Sequence, residues 1–227
     1  MFKFCTVKSS IIVQYRVSGV LIGSSVFFMR TKNFTFEKQI KENVNLHLSL
    51  IKMSNEVEKS IKLISKKIKN GGKILFCGNG GSAADAQHLA AELLVRLRPK
   101  VNRDPIPAIS LAQDTSTITA CGNDFDYSEI FVRTLKALAK PNDILVGIST
   151  SGNSKNIIKV FKEARKKNIK IIGLLGNEGG KSSKLCDIKL IVPSKNTARI
   201  QECHIFLVHY ILEKVENILI KNKNVNF

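Results

Sequence analysis

Five short apolar runs, most of them backed by a stretch with helical patterning, constrain this chain more tightly than anything else in its 227 residues. The runs are Lys73 to Cys77, Pro107 to Leu111, Asp143 to Ile148, Lys170 to Leu174 and Ile188 to Val192. Buried strands alternating with helices at this spacing predict a mostly parallel sheet with helices on both faces. Ligands of such sheets bind beyond the carboxyl ends of the strands. Upstream, Ile40, Val44, Leu48, Ile51, Val57, Ile61, Ile64 and Ile68 recur near helical spacing. They predict one long or two consecutive helices from Phe36 to about Lys69, stopped by Asn70-Gly71-Gly72. A last helix is expected from about Thr197 to Ile218.

The length suits one well-buried domain rather than two. A formal charge of +18 raises the question of nucleic acid. The lysines, however, are spread through amphipathic stretches and mixed with glutamates, with no zinc-finger spacing or aromatic RNA motif. The reading is a basic, solvated surface whose field attracts a phosphorylated metabolite, with neither nucleic acid nor membrane as partner. Five scattered cysteines make no disulfide framework and point to a reducing cytoplasm. Cys77 and Cys203 lie in apolar surroundings and read as core filler.

Residues 1–28 differ from the rest. They carry Lys3, Lys8 and Arg16 with no acidic residue, and their apolar run is too short to span a membrane. Arg16 interrupts any secretory signal. Helical patterning and mixed charge begin only after Met29, so this segment is expected to be an extension upstream of a true start at Met29, leaving 29–227 as a single domain.

Two loops carry the chemistry. The first, Asn79-Gly80-Gly81-Ser82, turns the first buried strand into a helix whose free N–H groups face a ligand. The second, Ser149-Thr150-Ser151-Gly152-Asn153-Ser154, leads into another helix. Its hydroxyls, glycine and helix start can together satisfy the oxygens of a phosphate. Neither loop has the lysine of a nucleoside triphosphate loop or the glycine order of a dinucleotide site, so a phosphomonoester is the simpler ligand. Helix capping explains either loop alone equally well, while the two loops together favour the ligand.

His88 and Glu92, four residues apart on the helix after the first loop, share a face and can hold one metal or one substrate edge. Gln201 and His209 are eight apart on the last helix, about 80° around its axis. Imidazole, carboxylate and amide oxygen make a divalent-metal set that favours zinc. Taken alone, either histidine is more simply a hydrogen-bonded interior residue. His204, about 140° from His209, reads as structural, and His47 as a surface residue. Asn123 and Asp124 can bind sugar hydroxyls or simply form a turn. Arg199 can reach a phosphate or pair with Glu202 or another subunit.

Four ordered blocks, Cys77 to Leu93, Gly122 to Phe125, Gly147 to Ser154 and Thr197 to Ile205, closely resemble the phosphoheptose isomerase branch of the sugar isomerase (SIS) family. The resemblance implies a three-layer α/β/α sandwich with N-terminal helices, a homotetramer with sites between subunits, and interconversion of sedoheptulose 7-phosphate with D-glycero-D-manno-heptose 7-phosphate. It assigns sugar binding to Asn79, Gly80, Gly81, Glu92, Asn123, Asp124 and Gln201, and phosphate binding to Ser149, Thr150, Ser151 and Ser154. Glu92 and His209 become the acid/base pair, and His88, Glu92, Gln201 and His209 the ligands of one zinc ion per subunit. Some relatives have an aspartate where this chain has Ala198. The alternatives are an isomerase of another sugar phosphate, or a protein that associates with a replication initiator.

Overall fold

The computed structural model describes residues 3–7, 10–17, 20–25 and 35–223, with side chains from 35 to 221. The chain divides into two compact units, residues 1–45 and 46–227. In the first, strands β1 (Lys3–Val7), β2 (Ser10–Val17) and β3 (Val20–Ser25) form an antiparallel sheet with β2 in the middle. Phe4 stands opposite Val13, and Tyr15 opposite Ile22. Met29, the expected start, lies outside the described residues.

Helix α1 (Phe36–Ser49) passes through a 3-10 turn at Leu50–Met53 into α2 (Ser54–Lys69), so the long helical stretch is two consecutive helices. The second unit then continues as β4 (Ile74–Cys77), α3 (Gly81–Leu94), β5 (Ala108–Ser110), α4 (Thr115–Asp124), α5 (Ile130–Leu138), β6 (Ile144–Ser149), α6 (Lys155–Lys166), β7 (Lys170–Gly176), β8 (Ile188–Val192) and α7 (Thr197–Lys223). The five strands lie in the order β5-β4-β6-β7-β8, and every pairing is parallel.

Alternation along each strand divides the core into two layers. Ile74 and Phe76 of β4, Ile144, Val146 and Ile148 of β6, and Ile172 and Leu174 of β7 pack with α2, α3 and α7. Leu75, Cys77, Leu145, Ile171 and Leu175 face the other way, against α5 and α6. This is the α/β/α sandwich that the alternating pattern predicts. Burial on both faces explains why these strands read as nearly unbroken apolar runs.

Candidate active site

The neighbours β4 and β6 are paired with Cys77 opposite Gly147, yet the chain leaves them in opposite directions, from β4 toward β5 and from β6 toward β7. Such a switch point opens a crevice at the strands' carboxyl ends. Both predicted loops stand there.

The loop after β6 is a rigid structure. The Ser149 hydroxyl accepts the Gly152 N–H at 3.1 Å and lies 3.3 Å from the Ser154 hydroxyl. Gly152 has a φ of 63°, and a Cβ there would come within 2.1 Å of the Gly179 carbonyl oxygen, so only glycine fits. The following turn pins the loop from outside. Lys181 N–H donates to Asn153 Oδ1 at 3.0 Å, Ser182 N–H to the Gly152 carbonyl at 2.9 Å, and the Asn177 amide to the Thr150 carbonyl at 3.1 Å. Ser154 N-caps α6 without using its hydroxyl as a cap. A cleft of about 580 Å³, lined in part by Ser151, Asn153 and Lys195, opens beside it.

Asn79 ties this loop to the one after β4. Its Oδ1 accepts from Asn156 Nδ2 at 2.7 Å and from the Tyr127 hydroxyl at 3.1 Å, while its Nδ2 donates to Asn156 Oδ1 at 2.9 Å. Asn156, buried in the first turn of α6, also caps the Ile157 N–H through the same oxygen. The Asn79 side chain is therefore largely committed to the protein. The Gly80 carbonyl accepts from the Ala83 and Ala84 N–H groups and so opens the first turn of α3.

His88, Glu92 and His209 come together from α3 and α7. Each offers a ligand atom within 4.8 Å of the others. His88 Nε2 lies 3.0 Å from His209 Nε2 and 3.5 Å from Glu92 Oε1. Ligands about 2.0–2.1 Å from a tetrahedral zinc ion lie about 3.3 Å apart, so these spacings suit such an ion. The second Glu92 oxygen is buried without a hydrogen-bond partner, which also fits a cation. Burial first, and then the neighbouring His88, push the His209 pKa below its ordinary value, against the opposing pull of Glu92, Glu213 and Asp85. Its imidazole is neutral at neutral pH, as both a ligand and a proton acceptor must be. Asp85, one turn before His88, has its carboxyl raised by burial, partly offset by the two histidines, and one of its oxygens lacks a partner.

Gln201 lies earlier along α7, against Gly81: a Cβ at Gly81 would meet its Nε2 at 2.5 Å. The missing side chain at Gly81 lets the two helices meet at that level. Asn123 and Asp124 end α4 rather than forming a turn, exposed and hydrogen bonded to each other at 2.8 Å. Arg199 pairs with Glu202 at 2.5 Å. His204 is structural, as expected: it is buried, with Nε2 donating to the Leu175 carbonyl at 3.0 Å. His47 departs from the surface reading. It is half-buried, 3.8 Å from the Cys203 sulfur and edge-on to Phe206 at 5.3 Å. Asn156 and Tyr127 were invisible as site residues. The only local sign of Asn156 is its place in the first turn after a hydroxyl-rich loop.

The SIS domain family model matches residues 41–176. A phosphoheptose isomerase of Aliarcobacter butzleri is 53% identical over 165 residues, covering 73% of this chain and 86% of its own length. One from Helicobacter pylori is 47% identical over 171 residues, covering 75% and 88%. The chain belongs to the phosphoheptose isomerase family of SIS domains. The solved phosphoheptose isomerase of Neisseria gonorrhoeae superposes on this SIS chain with a TM-score of 0.74 at 38% identity. The match covers 81% of this chain and all of the other.

Proposed function

We propose that the chain is an aldose-ketose isomerase converting sedoheptulose 7-phosphate to D-glycero-D-manno-heptose 7-phosphate, the first step of heptose precursor synthesis, including precursors of lipopolysaccharide. The observation that carries this reading is a carboxylate and a neutral imidazole, Glu92 and His209, meeting between α3 and α7, in a chain that also carries a hydroxyl-lined loop at a strand switch point. Isomerisation needs a proton taken from C1 and one delivered to C2. Glu92 takes the C1 proton and His209 moves a proton at the oxygen end; the reverse division uses the same two groups. Ser149, Thr150, Ser151 and Ser154 hold the phosphate, so binding at the far end of the sugar orients C1 and C2. Gly80, Gly81, Asn123, Asp124 and Gln201, with the backbone at Asn79, meet the sugar.

His88, Glu92 and His209 are the ligands we assign to one zinc ion per subunit; the Gln201 amide, expected as the fourth donor, lies instead at the level of Gly81, about 10 Å along α3 from His88. Bound zinc supplies Lewis acidity toward a developing oxyanion. The protein works as a homotetramer, a reading supported by the exposed row Phe36, Ile40, Val44, Leu48 and Ile51 along α1 and the turn after it. Among the described residues no helix is long and apolar enough to cross a membrane. We place the enzyme in the cytoplasm, in keeping with the four cysteines among the described side chains, all buried and outside any disulfide. Incubation with sedoheptulose 7-phosphate, after chelation and again after zinc is restored, tests the function. Aldoheptose phosphate should form with zinc and stop with chelator; none in either arm rejects the assignment.

A further inference from the structure

A second group of charges lies buried behind the site. Glu216 on α7 is 1% exposed, and both its oxygens are taken by guanidinium groups. Arg98 Nε donates to Oε2 at 2.6 Å and Arg103 Nε to Oε1 at 2.5 Å. Arg98 also reaches Asn217 Oδ1 at 2.7 Å. Other donors of Arg103 turn toward α3: Nη1 binds the Leu93 carbonyl at 2.8 Å, as well as the Asp104 carbonyl at 3.0 Å, and Nη2 binds the Glu92 carbonyl at 2.8 Å. The Glu92 and Leu93 carbonyls belong to the last turn of α3, where a helix lacks N–H partners of its own.

One guanidinium thus joins the backbone of Glu92 to a carboxylate two helical turns beyond His209, about 10 Å further along α7. Stability alone is a weak reason for such a cluster. Buried ion triads are often replaced by apolar side chains without loss, because desolvation offsets their attraction. A planar fork with fixed donor directions offers something a hydrophobic contact does not, namely a set register between two helices. Misplacing reacting groups by about 1 Å can cost about a hundredfold in rate.

We propose that Arg98, Glu216 and Arg103 form a positioning clamp that sets the separation of Glu92 and His209. These are positioning residues, acting through the α3–α7 register and not by touching substrate. The proposal rests on Glu92, His88 and His209 forming one zinc-binding, proton-transferring centre.

The test compares zinc-loaded wild-type protein with Arg103→Lys and with the apolar triple variant Arg98→Met/Arg103→Met/Glu216→Leu. The measurements are kcat and KM for sedoheptulose 7-phosphate, zinc affinity by competition with a chromophoric chelator, and thermal midpoint. Lysine keeps a positive charge near Glu216 but cannot fork to both carbonyls. Arg103→Lys should lower kcat about thirtyfold or more and weaken zinc about tenfold, with KM within about threefold because the phosphate loop is untouched. The triple variant should fold and show the same losses. Either variant matching wild type in kcat and zinc affinity overturns the clamp, as does a loss of kcat that only follows a fall in thermal midpoint. If the triple variant does not fold, Arg103→Lys decides alone. A wild type that binds zinc but leaves the ketose unchanged rejects the isomerase reading, while zinc affinity still reads the clamp.

Discussion

The two parts of the proposed site are built in opposite ways. The loop after β6 is made of neighbours in sequence and held by its own backbone, with Ser149, Gly152 and Asn153 locked to one another and to residues 179–182. The cluster of His88, Glu92 and His209 is made of side chains on two helices, 121 residues apart across the histidine pair, and one buried Glu92 oxygen is left unpaired. A ground-state anchor can be finished in advance. A reacting centre must keep unsatisfied atoms for the chemistry, and so depends on how its helices are seated.

The sharpest way to separate the halves is Glu92→Gln. It should lower kcat about a thousandfold, the range for loss of a positioned acid or base, while KM changes less than about threefold. A parallel rise in KM would show that the halves are not independent.

The seating of α7 can be read through His204. Burial lowers its pKa to about 4, against 6.5 for the free side chain, the hydrogen bond to Leu175 opposing this only in part. The folded state prefers the neutral ring, so the unfolded chain binds the extra proton. This contribution is fully present above pH 6.5 and is lost as pH falls from 6.5 through 4, by about 3 kcal/mol. Urea unfolding from pH 7 to 4 should show this loss in wild type and a flatter profile in His204→Gln. Equal slopes would contradict a neutral buried ring.

Gly152→Ala attacks the other half. A Cβ at a φ of 63° and 2.1 Å from the Gly179 oxygen forces the loop open, at about 1–3 kcal/mol. KM should rise about tenfold with kcat nearly kept; an unchanged KM would remove this loop from phosphate binding. The smallest effect is expected for Asn156→Ala, which breaks the amide pair between the loops. About 1–2 kcal/mol of stability should be lost in urea, with KM raised about twofold. A wild-type urea midpoint would show that the pair links nothing.

What was legible in the sequence follows the same division. Apolar runs, glycine turns and the hydroxyl loop are local signals, and the four-residue spacing of His88 and Glu92 places them on one face of one helix. His209 joins them only through the packing of α7 on α3, and no spacing states that; only the resemblance to a family did so. Asn79 is a sugar ligand by the resemblance, and its hydrogen bonds to Asn156 and Tyr127 lie too far apart in sequence to be legible there. His47 reads as surface because its contacts with Cys203 and Phe206 are equally distant in sequence. Arg98, Arg103 and Glu216 disappear among the charges of a basic chain, though the structure buries the carboxylate between both guanidinium groups.

The most direct measurement is a crystal structure of Glu92→Gln, turnover arrested, soaked with sedoheptulose 7-phosphate. The phosphate should lie on Ser149 to Ser154, with the side chain at position 92 and the His209 imidazole within hydrogen-bond reach of the C1–C2 end of the sugar. A phosphate bound elsewhere, or a C1–C2 unit remote from those side chains in every site of the assembly, would contradict the account.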